Sequence, residues 1–293
     1  MIGSLVIIFP TPHKGGSLLL RHDGQEYTFN PSLEFSHIKK PSVAYVAFYS
    51  DVEHEVTVVE SGYRVSLTYN LYVCDATQQQ NIQSVPSDSV MLSELKFKQA
   101  LSDLLDEKTF LPKGGNIGFG LLHQYPVSKT QGSLERVIHC LKGSDAAIRR
   151  VCASLGLDLK PKVLYKDSET RGHVMTLVDE FVETDYIEES LEDFLCSSGF
   201  IVKSRGLKEN GGGEFEIDVE RYYGNASTFR NEEVWWLTKR TELTRQRTDY
   251  VAYGNEAELT HTYGDVILIA NVGGPGNRQT EESEASESDN MLS

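Results

Sequence analysis

The sequence predicts an α+β protein, with closely spaced strands in its first part and a mixture of helices and strands in its later part. Three observations indicate this. Short β-rich runs follow one another from residue 4 to residue 73, two helix-like patterns appear after residue 90, and further strand-like runs follow them. With 39% hydrophobic residues among 293, the chain is able to bury a sizeable core. The strand succession is typical of a sandwich or a jelly roll.

Six short strands are predicted in the first part of the chain. Asp23-Gly24 lies between the second and third, and this pair is typical of a two-residue hairpin turn. Ser61-Gly62 is interpreted as a second tight turn, between the last two strands. The predicted strands are Ser4 to Phe9, Ser17 to Arg21, Glu26 to Phe29, Ser42 to Tyr49, His54 to Val59 and Tyr63 to Val73.

The composition changes after Cys74. Residues 76–90 are rich in Gln, Ser and Asn and predict a loop or linker, whereas 91–272 predict a mixed α/β region. From Gly273 the chain consists largely of Gly, Pro, Ser and Glu and has no aromatic residue, which predicts an acidic disordered tail. We therefore divide the chain into 1–75, 76–90, 91–272 and 273–293.

Two helices are predicted in the mixed region. The first covers Met91 to Leu105, and the second covers Asp145 to Leu155, with Ser144 as its cap and Gly156 as its stop. Gly114 to Gly120 is rich in glycine and predicts turns. The predicted strands here are Val174 to Val178, Phe215 to Val219 and Val266 to Val272.

The charge balance bears on the partners. With 28 Lys and Arg against 43 Asp and Glu, the net charge of −15 argues against nucleic acid or an anionic membrane surface as the main partner. No apolar run reaches the ~20 residues of a membrane helix, and Leu5 to Phe9 is too short for a signal core. We expect a cytoplasmic or nuclear protein, an expectation that fails if an N-terminal segment is missing.

The four cysteines do not form a recognisable motif. No two of them have the spacing of a metal clamp, and a chain of this length does not need disulfides for stability. Reduced and mostly buried thiols are therefore expected. The residues are Cys74, Cys140, Cys152 and Cys196.

One predicted strand carries a candidate binding site. Alternate residues of a strand share a face, so Arg64, Ser66, Thr68 and Asn70 form one polar face. In the ordinary interpretation this face lies in water. In the alternative it lies inside a barrel, where a buried Arg64 needs an anion. A dicarboxylate suits the planar guanidinium, and the Ser66 hydroxyl adds a donor.

His54 is a candidate metal ligand. It comes ten residues before Arg64, across the predicted hairpin, so both side chains are expected to face one cavity from adjacent strands. A single histidine in a strand is more often a surface or core residue, but its pairing with Arg64 favours a site.

These segments resemble the iron(II)/2-oxoglutarate dioxygenases, in particular the prolyl-4-hydroxylase-like proteins of fungi. The resemblance is carried by Phe48-Tyr-Ser-Asp-Val-Glu-His54-Glu-Val, Ser61-Gly-Tyr-Arg64-Val-Ser-Leu-Thr-Tyr-Asn70-Leu, Gly3-Ser-Leu-Val, Pro10-Thr-Pro-His-Lys-Gly-Gly16 and Arg21-His-Asp-Gly24, and more weakly by Leu141-Lys-Gly-Ser-Asp145 and Tyr253-Gly-Asn-Glu-Ala257.

The resemblance implies a fold, two cofactors and three site residues. Residues 1–75 would be the C-terminal half of a double-stranded β-helix, or jelly-roll, barrel. His54 would be the distal iron ligand, and Arg64 with Ser66 would bind the far carboxylate of 2-oxoglutarate. Iron(II) and 2-oxoglutarate are thus the implied cofactors, with an unknown substrate as a further partner.

The sequence departs from the family at the metal site. The family holds iron with two histidines and a carboxylate, and the first two ligands come as His-x-Asp or His-x-Glu. No histidine of this sequence has Asp or Glu two positions later. In the family that pair precedes the strand that Ser4 to Phe9 matches. We therefore expect a missing N-terminal segment, and Ser4 to Phe9 as an unpaired edge strand.

Three functions are open at this point. The first is a chain derived from a dioxygenase that is inactive as written, because loss of two of three protein ligands predicts poor iron binding. The second is a non-catalytic binding or interaction module on the remnant of the barrel. The third is a structural protein with an acidic tail.

Overall fold

The computed structural model describes residues 1–36, 42–72, 88–130, 132–166, 175–182, 191–206, 230–253 and 257–278. Helices and strands both occur, so the α+β class is confirmed. The chain divides into two compact units, Met1–Val85 and Pro86–Ser293. Most of the predicted linker lies outside the described residues, and a helix begins at Asp88.

The Met1–Val85 unit is built almost entirely from strands. Its elements are β1 (Gly3–Ile8), β2 (His13–Gly15), β3 (Leu18–His22), β4 (Gln25–Phe29), α1 (Pro31–Ser36), β5 (Ala44–Tyr49), β6 (Glu53–Val56), β7 (Val59–Gly62) and β8 (Ser66–Leu71). They form three antiparallel sheets, with strand orders β5-β1-β8, β4-β3-β6 and β2-β7. The buried apolar side chains among its described residues are Val6, Ile8 and Leu18.

The first predicted turn is confirmed. Asp23 has a φ of 48° and Gly24 a φ of 72°, the positive values that a two-residue hairpin of this type requires. The turn joins β3 to β4, which pair antiparallel along their whole length.

The prediction that Ser4 to Phe9 is an unpaired edge is wrong, because β1 is the central strand between β5 and β8. The predicted turn at Ser61-Gly62 is also wrong. Both residues belong to β7 and lie opposite Lys14 and His13 of β2.

The Pro86–Ser293 unit contains the remaining elements. They are α2 (Asp88–Asp106), β9 (Gly115–Gly120), α3 (Ser133–His139), α4 (Gly143–Ser154), β10 (Leu159–Lys166), β11 (Met175–Val178), α5 (Leu191–Ser198), β12 (Phe200–Gly206), β13 (Asn231–Trp236), β14 (Arg245–Tyr253) and β15 (Ala257–Val272). Six of the strands close into a barrel in the order β10-β11-β12-β13-β9-β15, because β15 also pairs with β10. The β12–β13 and β13–β9 pairs are parallel. Outside the ring, β14 pairs antiparallel with the first part of the long strand β15, from Ala257 to Asp265.

The two faces of the barrel wall have separate cores. The interior is filled by Leu164, Met175, Leu177, Phe200, Val202, Val234, Trp236, Ile267 and Ile269. The outer face of β9, β10 and β15 packs against side chains of the helices, including Leu101 of α2, Val137 of α3 and Ile148 of α4. Strand alternation therefore sends one set of side chains into the barrel and the other towards the helices.

Both predicted helices are confirmed as α2 and α4, but the predicted cap is wrong. The residue before α4 in the capping position is Lys142, which makes no side-chain cap bond, while Gly156 follows the helix with a φ of 74°. The prediction of turns over Gly114 to Gly120 is wrong as well, because Gly115 to Gly120 form the buried strand β9.

The other predicted elements have mixed outcomes. The run Val266 to Val272 lies within β15, and Met175 to Val178 form β11. Phe215 to Val219 lie outside the described residues. No helix within the described ranges is long and apolar enough to cross a membrane.

The predicted tail starts with ordered residues. Arg278 donates hydrogen bonds to five backbone carbonyls, those of Leu105, Glu107, Phe110, Leu111 and Gly273. These bonds tie the stretch after β15 to the end of α2. The rest of the tail, 279–293, lies outside the described residues.

Cys140 and Cys152 are free thiols, as predicted. Burial raises the pKa of the Cys152 thiol to about 12, so this side chain is a core residue of α4 and not a nucleophile. Cys74 lies outside the described residues.

Candidate carboxylate site

Arg64 lies between β7 and β8, and a close backbone approach makes room for its side chain. A Cβ atom on Gly16 would lie 2.8 Å from Arg64 Cδ and 3.0 Å from a methyl carbon of Val59. Gly16 also has a φ of 67°, which favours glycine. The Gly15-Gly16 pair therefore lets the stem of Arg64 pass over the backbone.

The guanidinium of Arg64 is only partly satisfied. Its Nη1 donates to Ser66 Oγ at 3.1 Å. Its Nε and Nη2 are buried and have no partner in the part of the chain that the structure describes. Burial without a counter-charge lowers the pKa of Arg64 below its ordinary value. A buried donor without a partner costs about 1–3 kcal/mol, and a charged one costs more.

The two unpaired donors suit one kind of ligand. Nε–H and one Nη–H of a guanidinium form a planar fork, and a carboxylate accepts both bonds at once. The Ser66 hydroxyl accepts from Nη1, so its own proton remains available for an anion oxygen. The arrangement thus has the donors for one carboxylate, and among the described residues no anion pairs with them.

The polar face of β8 lies on the core side of its sheet. Ser66, Thr68 and Asn70 pair across β1 with Ile8, Val6 and Ser4, and directly opposed residues share a face. Val6 and Ile8 are buried on that face. On the other face, Leu67 and Tyr69 are 47% and 50% exposed. Ser66 is nevertheless only half-buried and Thr68 and Asn70 are exposed, so most of this polar face is in contact with water, as in the ordinary interpretation.

His54 belongs to a different sheet from Ser66. It lies in β6 opposite Leu20, and its ring centroid is 4.8 Å from that of Phe48 in β5. The side chain is exposed, and its Nδ1 is 3.1 Å from the carbonyl of Val52. Phe48 shares its face of the β5-β1-β8 sheet with Ser66.

The expectation that His54 and Arg64 lie on adjacent strands of one hairpin is therefore wrong. The chain between them forms β7, which pairs with β2, and β8 begins only at Ser66. The structure brings His54 into contact with Phe48, which shares its face of the β5-β1-β8 sheet with Ser66.

The described residues of Met1–Val85 give His54 no partners for an iron centre. Within the described residues of Met1–Val85, His54 joins no pair of His, Cys, Asp or Glu side chains close enough to share a metal ion. A family-type centre needs two histidines and a carboxylate. The role of His54 as a metal ligand stays a prediction.

His13 is a residue for which the sequence suggested no role. Its Nδ1 lies 2.7 Å from the carbonyl of Thr11, and its Nε2 is buried without a partner among the described residues. His13 pairs with Gly62, two residues before Arg64, and Thr11 Oγ1 accepts from Val65 N. The signal appears only once β2 pairs with β7, which the sequence pattern did not reveal.

Arg21 is the contrasting arginine of this unit. It donates to Glu26, Glu53 and Glu55 across β4, β3 and β6, so three carboxylates already surround it. These side chains lie on the face of their sheet opposite to His54. Arg21 is therefore satisfied, and Arg64 is the arginine with donors to offer.

No family model, no curated protein and no solved structure matches this chain.

Proposed function

We propose that the Met1–Val85 unit is the C-terminal half of a double-stranded β-helix of the iron(II)/2-oxoglutarate dioxygenase type, acting as a carboxylate-binding module. The observation that carries the proposal is the half-buried Arg64, whose Nε and Nη2 atoms are buried and have no partner among the described residues. 2-Oxoglutarate is the proposed ligand, because in the dioxygenases that the sequence resembles an arginine at this position binds the far carboxylate of 2-oxoglutarate.

The strand arrangement supports the proposal. Phe48 of the β5-β1-β8 sheet contacts His54 of the β4-β3-β6 sheet, with ring centroids 4.8 Å apart. Arg64 and Ser66 are in contact and both are partly buried, as a ligand site at the start of β8 requires. The two buried nitrogen atoms of Arg64 without partners cost stability, and a bound carboxylate would offset this cost.

We propose further that this chain does not catalyse hydroxylation. The sequence has no His-x-Asp or His-x-Glu pair, and affinity for a metal depends on the number and geometry of its ligands. With iron(II), ascorbate and 2-oxoglutarate, we expect no more succinate from the unmodified chain than from His54→Ala. Succinate release that depends on His54 would show an active enzyme and overturn this part of the proposal.

The binding test measures the affinity for 2-oxoglutarate in the absence of metal, by isothermal titration calorimetry. We expect Arg64→Met to weaken binding by about 10- to 100-fold, because a bidentate, charge-assisted pair is lost. Arg64→Lys should recover little, since an ammonium cannot form the fork. Arg21→Gln is the matched control and should bind as the unmodified chain does.

The choice of ligands tests which carboxylate is bound. 2-Oxobutyrate keeps the keto acid and lacks the far carboxylate, so it should bind weakly, whereas succinate should retain part of the affinity. Equal affinity for 2-oxobutyrate and 2-oxoglutarate would indicate a general anion site instead. Binding that is unchanged in Arg64→Met would refute the site itself.

A further inference from the structure

The closed barrel of the Pro86–Ser293 unit has a cavity at one end. Its volume is about 620 Å³, within the range of small-molecule pockets, roughly 300–1,000 Å³. Apolar side chains of three strands line it, namely Leu177, Phe200 and Ile269. The same three residues belong to the interior core, so the cavity continues the inside of the barrel.

The opposite end of the barrel is closed. The indole of Trp236 lies inside and donates from Nε1 to Ser204 Oγ at 3.1 Å. The guanidinium of Arg240 lies over this ring, 5.1 Å from its centroid. The cavity is therefore a cup that opens at one end of the barrel.

Two inward-facing charges of opposite sign line the cup. Lys162 extends from β10 and Glu232 from β13, and these strands are three places apart in a ring of six. The two side chains therefore come from opposite sides of the wall. They are 20% and 21% exposed, whereas their ion-pair partners, Asp179 and Arg230, are 78% and 74% exposed at the rim.

A hydrogen-bonded chain fixes the acidic side of the cup. Asn271 Nδ2 donates to Asn116 Oδ1 at 3.3 Å, and Asn116 Nδ2 donates to Glu232 Oε2 at 2.8 Å. Asn116 is itself buried, and all three side chains line the cavity. The Glu232 carboxylate is thus held in place by neutral donors, while Arg230 approaches it from the solvent side.

The charges that line the cavity balance. Three basic residues, Lys160, Lys162 and Arg230, stand with three acidic ones, Asp158, Asp179 and Glu232. A ligand with a single charge can replace only one of the two rim partners, and the other ion pair then stays as it is. A ligand with one positive and one negative group can replace both exposed rim partners.

We propose that this cup binds a small zwitterion of the α-amino acid type with an apolar side chain. The ligand carboxylate pairs with Lys162, its ammonium pairs with Glu232, and its side chain packs on Leu177, Phe200 and Ile269. The proposal is independent of the carboxylate site of the Met1–Val85 unit.

The test measures binding of L-leucine and L-phenylalanine to the full chain by calorimetry. We expect Lys162→Met and Glu232→Gln each to weaken binding by about 10- to 100-fold, because each removes one charged hydrogen-bond partner. Lys166→Met and Glu242→Gln are the controls. They break an ion pair of 2.8 Å at the closed end of the barrel, so affinity should be unchanged.

Two ligand analogues keep the proposal testable if a variant fails to fold. L-Leucinamide lacks the carboxylate and N-acetyl-L-leucine lacks the ammonium, so both should bind the unmodified chain much more weakly than L-leucine. Equal binding of either analogue would overturn the proposal. So would the absence of binding by both amino acids up to about 10 mM, or binding that the two cup variants leave unchanged.

Discussion

Asp145 shows how a single buried side chain organises its surroundings. It lies fully buried in the first turn of α4 and accepts hydrogen bonds from Leu122 N, His123 N and Tyr125 Oη, at 3.0, 3.1 and 2.8 Å. These bonds fasten the segment after β9 to the start of α4. Burial raises the pKa of Asp145 above its ordinary value, against the hydrogen bonds, which lower it.

We predict that Asp145→Asn lowers the free energy of unfolding by about 1–3 kcal/mol at neutral pH, because an amide NH₂ would face N–H and O–H donors. The pH dependence has a definite sign. Since the folded pKa is raised, the contribution of Asp145 is full below the unfolded pKa, about 3.9, and declines as the pH rises through the folded pKa.

Urea unfolding of both proteins between about pH 3.5 and 8 checks this prediction. The stability difference between the unmodified chain and Asp145→Asn should shrink as the pH rises. Asp249→Asn is the control, because that carboxylate is about half exposed in an ion pair with Arg247 and should change stability little. A difference that grows with pH would show that the hydrogen bonds outweigh burial.

The sequence alone brings together Arg64 and Ser66, two residues of the candidate carboxylate site. Arg64 and Ser66 are two residues apart, and their contact needs no long-range information. His13 and the close passage over Gly16 depend on the pairing of β2 with β7, which joins segments about 50 residues apart and leaves no local signal. The cup was not predictable either, because its lining comes from six strands and their connections.

At the scale of elements, the sequence pattern predicts those helices and turns that depend on interactions between residues close together in the chain. The Asp23-Gly24 hairpin follows from turn geometry, and α2 and α4 follow from their spacing of apolar residues. β9 was missed because its glycines were read as turn residues, although they lie in a buried strand. Glycine is needed at this position of the strand for a steric reason, because a Cβ on Gly118 would lie 2.7 Å from two ring carbons of Trp236.

We predict that Gly118→Ala destabilises the Pro86–Ser293 unit by about 1–3 kcal/mol, because it forces overpacking against the Trp236 ring inside the barrel. Thermal unfolding followed by tryptophan fluorescence measures the effect, and the emission should shift as the indole moves. Gly274→Ala is the control, since the nearest atom to its added Cβ would be 3.8 Å away. Equal stability of the two variants would mean that the barrel accommodates the added methyl group without loss of stability.

At the scale of the whole molecule, the two units differ in how much apolar surface they bury. The described residues of Met1–Val85 bury Val6, Ile8 and Leu18, whereas the other unit has two extended cores. Large apolar side chains of the first unit are instead exposed, among them Tyr27, Tyr45, Val58, Tyr63, Leu67 and Tyr69. A small core supplies little free energy against local unfolding.

Hydrogen exchange of the full chain, read by mass spectrometry, should therefore separate the two units. We predict that amides of β1 and β5 exchange roughly tenfold or more faster than those of β9 and β15, which have apolar cores on both faces. Saturating 2-oxoglutarate should slow exchange at β8 and leave β9 and β15 unchanged, because a ligand stabilises the unit that binds it. Equal protection of β1 and β15 without ligand would contradict this difference.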